Sequence, residues 1–341
     1  MRVRDHRKAG SNFEMKRFQI LLLILIVVAS FIPSGCNQAN VRQAIEKHIS
    51  ETGGSPKIVA DYQPWFGDRN HIDVGYNSQD PAVIRKQIAQ AKNMGIYAFV
   101  VDWYGDRHPF LDRSYALMQR IAAQETFHVA LMYDETQEDN GQATDDALEA
   151  FDKAYGHYIG PHAPGREAYL LYQGRPVIFI FPKRGNTNWD QVRQMVKGWE
   201  SPPWLIYKDE PPPKYTQDFD GQYAWVHPGH GWAPDGSDWG QKYLERFYLK
   251  MKTKYPDRIA VGTAWPGFND SKASWSLNRH MDSRCGKTFE DTLRMFRRYY
   301  DESHPLPFLL IATWNDYEEG TAIESGLIRC DKGENKKGAG M

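Results

Sequence analysis

Two carboxylates near the C-terminus are spaced for acid–base chemistry. Asp316 and Glu319 stand three residues apart, directly after an apolar run, and Gly320 behind them permits a sharp turn. When two carboxyl groups lie close together, the more buried one has a raised pKa and can serve as an acid. Glycosidic bond cleavage requires such a division, because one group protonates the leaving oxygen while the other acts as base or nucleophile. A capping network on a final helix is the alternative interpretation.

Polar and aromatic side chains also end other apolar runs of the chain. If such a run forms a barrel strand, its last residues lie at the C-terminal mouth, where barrel enzymes hold their active sites. Carboxylates and aromatic rings together suit a polyhydroxylated ligand, because carboxylates accept from hydroxyl groups and rings offer flat faces. We therefore predict substrate contacts from Tyr62, Trp65, Asp102, Trp103, Tyr104, Asp134, His227, Trp265 and Asn315.

The apolar runs themselves predict the architecture. They are short, rich in β-branched and aromatic residues, and continuously apolar, which is typical of strands buried on both faces of a parallel sheet. They cover residues 57–63, 97–103, 128–134, 176–182, 203–208, 222–227, 258–265 and 307–314.

Helical patterns separate these runs. Asp80 and Pro81 begin the first pattern and Gly95 ends it. The proline-rich segment after Lys208 predicts a short or irregular crossover. Eight strands alternating with about seven helices indicate the α/β class and a single (β/α)8 TIM barrel. An open doubly wound sheet is less favoured, because no G-x-G-x-x-G follows the first strand. The helical patterns cover residues 80–94, 111–124, 143–158, 189–199, 238–255 and 288–299.

Composition limits the partners and cofactors. The chain has 42 Lys and Arg against 43 Asp and Glu, so there is no basic excess to bind a nucleic acid. Its 3 Cys exclude a four-cysteine zinc site, and His227 and His230 without a third ligand favour a sugar site over a metal site. We expect no cofactor, no metal and a monomer.

The N-terminus has the pattern of an export signal. Lys16 and Arg17 precede an apolar run of about 13 residues, which is too short to span a bilayer. The small residues before Cys36 resemble a bacterial lipoprotein signal, in which that cysteine is lipidated. We expect an exported protein of the cell envelope, anchored to the membrane by a lipid. A plain signal peptide, giving a secreted or periplasmic protein, is the alternative, and Met15 is an alternative start.

These features divide the chain into four segments. We predict a leader and signal peptide at 1–36, a tether at 37–56 with one short helix, a catalytic barrel at 57–328 and a polar tail at 329–341. In an oxidising compartment Cys285 and Cys330 could pair, although the spacing alone does not decide this.

Residues 314–324 resemble the W-N-E-W-H-E-G-T-x-I-E signature of glycoside hydrolase family 99, the endo-α-mannosidases and endo-α-mannanases. They also resemble the W-N-D-F-G-E segment of family 71, the α-1,3-glucanases. The likeness to family 99 extends as scattered motifs over most of the chain from residue 61 to residue 324. These motifs lie at residues 62–67, 80–81, 87–92, 95–105 and 174–177.

The resemblance implies a glycoside hydrolase of an α-linked oligo- or polysaccharide. By position, Glu319 matches the acid/base that protonates the leaving oxygen, and Asp316 matches the residue that deprotonates the sugar 2-hydroxyl. The chain departs from family 99 in three ways: Asp316 is shorter than the family's Glu, and Tyr317 and Glu318 replace Trp and His. We expect Glu318 to add a third carboxylate to the site. Because Asp at position 316 is the family 71 residue, inversion through a water molecule stays open.

Two other functions are weighed against hydrolysis. A related barrel could act as a glycosyl transferase in polysaccharide assembly, but such an enzyme is expected in the cytoplasm and the export signal argues against it. A surface glycan-binding barrel without catalysis is the second alternative, and the shorter Asp316 keeps it open.

Overall fold

The computed structural model describes residues 34–51, 56–136, 138, 141–226, 233, 235, 237–300 and 306–328, and for residues 34–37 and 49–51 the backbone alone. Within these residues the dominant element is a sheet of parallel strands that closes into a barrel. The strands are β1 (Lys57–Tyr62), β2 (Ala98–Trp103), β3 (His128–Asp134), β4 (Leu171–Tyr172), β5 (Arg175–Phe181), β6 (Trp204–Lys208), β7 (Gly221–Tyr223), β8 (Ile259–Ala264), β9 (Phe268–Asn269), β10 (His280–Met281) and β11 (Phe308–Ile311).

The described barrel contains eight of these strands, in the order β1, β2, β3, β5, β6, β7, β8 and β11. The circle closes because β11 pairs with β1 and β3 pairs with β5, and all of these pairings are parallel. The predicted (β/α)8 barrel is confirmed, and this closure excludes the open doubly wound sheet. Strand β4 adds an antiparallel pair to β5, and β9 and β10 form a separate hairpin.

Helices cover the outside of the barrel, as the alternating pattern predicts. Asp80 begins α2 by accepting a hydrogen bond from the backbone N–H of Ala82, and Pro81 occupies the first turn. Between β6 and β7 the prolines allow a 3-10 turn, Pro213–Asp218, in place of an α-helix. The α-helices are α1 (Ser34–Glu51), α2 (Pro81–Asn93), α3 (Pro109–Gln124), α4 (Gln142–Ala154), α5 (Trp189–Lys197), α6 (Gln241–Thr253) and α7 (Lys287–Tyr299).

Helix α1 packs onto the barrel, where the sequence predicted a tether. Val41 and Ile45 are fully buried, and Ile45 lies against Gly95 at the end of α2. His48 packs against Phe296 of α7 with their ring centroids 5.2 Å apart. The helix therefore lies between α7 and α2, the place that a helix after the last strand takes in an eightfold barrel. The part of the predicted tether that α1 covers therefore belongs to the layer of helices around the barrel.

Several predictions fall outside the described part of the chain. The apolar run of the signal, the side chain of Cys36 and the tail at 329–341 all lie there. Cys285 is disulfide-bonded, but Cys330 lies outside the described residues, so the pairing of these two stays a prediction. Among the described helices, none combines the length and apolar character that a membrane crossing needs.

Candidate active site

A cavity of about 530 Å³ opens where β2, β3, β5 and β11 end. This is the C-terminal mouth of the barrel, and the volume is within the range of small-molecule sites. The cavity is lined by Gln63, Trp65, His71, Asp102, Tyr104, Arg107, His108, Met132, Asp134, Glu135, Thr136, Phe181, Lys183, Trp225, Trp275, Asp316 and Glu319.

Both predicted catalytic carboxylates line this cavity from one tight turn, residues 316–320, which we call the β11 turn. The backbone N–H of Asp316 donates to Oγ1 of Thr313 at 2.8 Å. Asp316 Oδ1 in turn accepts from the backbone N–H groups of Glu318 and Glu319, at 2.9 and 2.8 Å. The backbone N–H of Thr321 closes the turn by donating to the Asp316 carbonyl at 3.0 Å. These bonds hold the almost fully buried Asp316 side chain in one orientation.

Glu319 lies nearer to solvent, and its Oε1 accepts from the indole Nε1 of Trp275 at 2.9 Å. Burial raises the pKa of Asp316 well above its ordinary value, and the neighbouring Glu319 adds to the rise. Burial also raises the pKa of Glu319, while the hydrogen bond from Trp275 opposes the rise. Because two adjacent carboxylates repel each other, the pair retains a proton at pH values where isolated carboxyl groups are ionised.

A second polar group, the lysine wall, consists of Asp102, Tyr104, Asp134 and Lys183. Lys183 follows β5, which lies halfway around the barrel from β11, and its Nζ is 2.8 Å from Asp134 Oδ2. Burial raises the pKa of Asp134, but Lys183 opposes that rise. Burial raises the pKa of Asp102 well above its ordinary value, and Asp134 adds to it. Tyr104 lies beside both carboxyl groups and opposes the rise in the pKa of each, so the wall offers neighbouring donors and acceptors to the cavity.

Three rings form an aromatic corner, Trp65, His71 and Trp275, beside Glu319. Trp65 and His71 stack with their centroids 4.5 Å apart and an interplanar angle of 3°. Trp275 stands edge-on to both, at 6.1 Å from Trp65 and 6.2 Å from His71. The long loop after β8 supplies Trp275, which lies between β9 and β10.

Glu318 does not line the cavity, contrary to the prediction of a third carboxylate there. Its side chain is buried, with Oε2 2.7 Å from Nδ1 of His71, and Oε1 accepts from the backbone N–H of Ile72 at 3.2 Å. The β11 turn places residues 316 and 319 on its cavity side, three positions apart, whereas the side chain of residue 318 points away from the cavity. Glu318 therefore fastens the loop after β1 to the β11 turn and places His71 in the aromatic corner.

The predicted substrate-binding residues separate into two groups. Trp65, Asp102, Tyr104 and Asp134 line the cavity. Tyr62, Trp103, Trp265 and Asn315 are not among its lining residues and are almost fully buried. His227 lies outside the described residues.

The buried rings point into the layer between strands and helices. Tyr62 donates to Gln87 Oε1 at 2.8 Å, and Trp103 Nε1 donates to Asp112 Oδ1 at 3.1 Å. Successive residues of a strand point to opposite faces, so Tyr62 and Trp103 point outward because the residues before them point inward. The inward residue before Trp103 is Asp102.

The remaining two predicted residues support the mouth of the barrel from within. Trp265 Nε1 donates to the carbonyl of Trp239 at 3.2 Å. Asn315 Oδ1 accepts from the backbone N–H of Gln63 at 2.7 Å, and its Nδ2 donates to the carbonyl of Gln63 at 2.9 Å. Asn315 thereby clamps the end of β1 to the β11 turn.

Sequence reasoning missed several groups of the site. Asp61, fully buried one residue before Tyr62, accepts from Gln63 Nε2 at 2.6 Å, and burial followed by the charge of Asp102 raises its pKa well above the usual value. Lys208 Nζ lies 3.6 Å from the centroid of Phe181, and burial lowers its pKa to about 8. The strand period was the available signal, because it selects the inward residue at each strand end. The other lining residues outside the predicted set of substrate contacts are Gln63, His71, Arg107, His108, Glu135, Thr136, Phe181, Lys183, Trp225 and Trp275.

Glu135 shows why a position on the cavity wall does not by itself make a binding group. Its Oε2 accepts from the backbone N–H groups of Lys183 and Gly185, at 2.8 and 3.1 Å, and its Oε1 accepts from that of Thr187 at 3.1 Å. This carboxylate shapes the loop that carries Lys183.

In the described part of the chain, no group of three or more His, Cys, Asp and Glu side chains could hold a metal ion.

No family model and no curated protein matches the chain, whereas solved structures do. A family 99 endo-α-mannosidase from Bacteroides thetaiotaomicron, in complex with bis-tris-propane, matches with a TM-score of 0.57 and 19% identity over 79% of this chain and 87% of that chain. A second structure titled as the family 99 enzyme of that organism gives 0.56 and 18%, over 78% and 87%. A glycoside hydrolase-like protein gives 0.55 and 15%, over 81% and 91%. The chain is thus similar in fold to the family 99 structures, as its sequence motifs predicted.

Proposed function

We propose that the protein is a glycoside hydrolase that cleaves an α-linked glycan. The observation that carries this proposal is the pair Asp316 and Glu319, held on one turn at the mouth of the cavity with a raised pKa on both. A carboxyl group with a raised pKa keeps its proton at pH values where an ordinary carboxyl group is ionised, so it can protonate a leaving oxygen, which is the demanding step in breaking a glycosidic bond.

The two carboxyl groups take different roles in this proposal. Glu319, at the more open position, protonates the leaving oxygen as acid and later accepts a proton as base. Asp316 is the more buried of the two, but two backbone N–H groups oppose the rise in its pKa and favour its ionised form, so it acts as the base when Glu319 holds the proton of the pair. By the family 99 resemblance Asp316 deprotonates the sugar 2-hydroxyl. If it activates a water molecule instead, as the family 71 resemblance implies, the anomeric configuration is inverted.

The rest of the cavity fits a sugar. The lysine wall supplies donors and acceptors for hydroxyl groups, while Trp65, Trp225 and Trp275 supply flat apolar faces. The named neighbours of the same fold include endo-α-mannosidases, which favours α-linked mannose-containing glycans as the first substrates to test.

Digestion of a glycan panel tests the proposal. The protein is incubated with α-mannans, high-mannose glycans and α-1,3-glucan, beside Asp316→Ala and Glu319→Ala. We expect cleavage of at least one substrate by the native protein and none by either folded variant. NMR of the first-formed anomer then distinguishes retention from inversion. Binding to a glycan without cleavage, at equal affinity in both variants, would establish a glycan-binding barrel instead.

We also propose that the protein is exported and anchored through a lipid on Cys36. The support is the sequence pattern before that residue, which lies in the first turn of α1. Labelling of cells with a fatty acid should mark the native protein and not Cys36→Ser. Equal labelling of both proteins would contradict lipidation of Cys36. We also expect a monomer, and a dimeric mass in size-exclusion chromatography would contradict that expectation.

A further inference from the structure

The side chain of Trp275 combines exposure with a specific polar contact. Its ring is 42% exposed, yet its Nε1 donates to Glu319 Oε1 at 2.9 Å. An exposed tryptophan on a loop gains little from burial, so its position must be fixed by the loop that carries it.

Asp270 fixes that loop from within. Its fully buried carboxylate accepts from Ser276 Oγ at 3.0 Å, from the backbone N–H of Leu277 at 3.1 Å, and from Arg279 N and Nε at 2.8 and 2.7 Å. These donors flank Trp275 on its C-terminal side. A buried carboxylate with this many donors is costly to disturb, so the loop tip is held in one conformation.

The base of the loop is fastened to the β11 turn itself. The backbone N–H of Asn269 donates to the carbonyl of Glu319 at 2.7 Å. A Cβ at Gly320 would lie only 3.1 Å from the backbone nitrogen of Asn269. The backbone of Glu319 and its carboxylate are therefore bound by the same loop.

Other charged groups also act on Glu319. Arg279 and Lys183 favour its ionised form, and Asp270 disfavours it. Asp316, Asp61 and Lys208 interact electrostatically with it, and His71 faces the ring of Trp275. Among these neighbours Trp275 is the neutral group that acts through a direct hydrogen bond, so its contribution can be removed without altering the net charge of the site.

We propose that Trp275 is a positioning residue for Glu319: its indole N–H orients the Glu319 carboxyl group and tunes when that group releases its proton. This assignment rests on the proposed function, in which Glu319 is the acid. The hydrogen bond favours the ionised carboxylate, so Trp275 moderates the rise that burial causes and lets Glu319 exchange its proton.

Trp275→Phe keeps an aromatic ring and removes the N–H, and Trp65→Phe is its matched control. Trp65 also lines the cavity, but its Nε1 has no hydrogen-bond partner among the described residues. The Glu319 carboxyl is titrated by 13C NMR in full-length protein labelled at the glutamate side-chain carboxyl, and its signal is assigned by its loss in Glu319→Gln. We expect the midpoint to rise in Trp275→Phe and to stay unchanged in Trp65→Phe. If Trp275→Phe does not fold, Trp275→Leu removes the same N–H and adds no other donor.

The same variants are compared in the pH dependence of kcat/KM on a cleaved glycan. The alkaline limb should move upward in Trp275→Phe with the NMR midpoint, whereas Trp65→Phe should leave the limb in place whatever its effect on the rate. An unshifted midpoint in an active enzyme, or equal shifts in both variants, would overturn the assignment of Trp275. A shifted midpoint in a protein that cleaves no glycan would overturn the proposed function and still support the contact.

Discussion

The β11 turn and the lysine wall face the same cavity but treat their carboxyl groups differently. In the β11 turn the donors to Asp316 and Glu319 are neutral, namely two backbone N–H groups and an indole N–H. In the lysine wall Asp134 has an ammonium group 2.8 Å away. Neutral donors allow a raised pKa to persist, whereas a cation stabilises the charge. The β11 turn is therefore suited to exchanging protons, and the Asp134–Lys183 pair of the lysine wall to holding a ligand in place.

The largest expected effect is kinetic: a substitution in the β11 turn should lower kcat, whereas one in the lysine wall should raise KM. Glu319→Gln preserves shape but cannot exchange a proton, so kcat should fall by about 10³-fold. Asp102→Asn in the lysine wall should raise KM by about tenfold and change kcat much less, because it removes a contact that substrate and transition state share. Steady-state kinetics on one glycan measure both. An equal loss of kcat in the two variants would show that the two sides do not differ in role.

The second expected effect is on stability. Lys183→Met leaves the buried Asp134 carboxylate without its cation, and the free energy of unfolding should fall by about 2–3 kcal/mol. Adding Asp134→Asn should restore part of the loss. The control is Lys250→Met, which breaks a more exposed pair with Glu210 and should cost less than about 1 kcal/mol. Chemical denaturation measures these differences. Equal losses in Lys183→Met and Lys250→Met would contradict the conclusion that the Asp134 carboxylate depends on its cation more than an exposed carboxylate does.

A smaller effect is expected from the backbone of the β11 turn. Gly320 has φ of 64°, and a Cβ there would crowd the backbone of Asn269. Gly75 has φ of 81° with nothing within 4 Å of its Cβ position, so Gly75→Ala isolates the left-handed backbone cost of about 1–2 kcal/mol. Gly320→Ala should cost more than that and should also lower kcat, because the crowding moves the loop of Trp275. Equal losses of stability and no loss of kcat would contradict the proposed coupling.

The fold could be predicted because its signal is repeated. Most barrel strands are apolar runs followed by a helical pattern, and the predicted limits of β3 agree with the structure at residues 128–134. The weakest strand prediction was at 222–227, where the structure has Gly221–Tyr223. The short helix predicted within the tether is present as α1, but its mostly polar sequence did not indicate that Val41 and Ile45 dock it onto the barrel.

The site could be predicted only in part, for a geometric reason. A strand end offers two adjacent side chains of which one points into the barrel, and the prediction took both, so Trp103 was included with Asp102. At β1 the outward Tyr62 was chosen and the inward Asp61 was missed. The bond of Trp275 to Glu319 joins residues 44 positions apart, so it depends on tertiary structure and has no local signal in the sequence.

The smallest expected effect is on the pH dependence of stability, and it tests the same contrast. The folded pKa of Asp316 is raised above its unfolded value, so folding takes up a proton, and stability is lost as pH rises from about 4 toward the folded pKa. Asp316→Asn removes this loss, so the native protein should lose more stability than the variant across that window.

The slope for one group is at most about 1.4 kcal/mol per pH unit. Asp134→Asn should change the pH dependence less, because Lys183 opposes the rise in the pKa of Asp134. Denaturation curves of the three proteins between pH 4 and pH 8 measure this contrast. Parallel stability curves for Asp316→Asn and the native protein would contradict the contrast. They would mean that neutral donors stabilise the Asp316 carboxylate as well as Lys183 stabilises that of Asp134. The β11 turn and the lysine wall would then differ only in the part of the ligand that each binds.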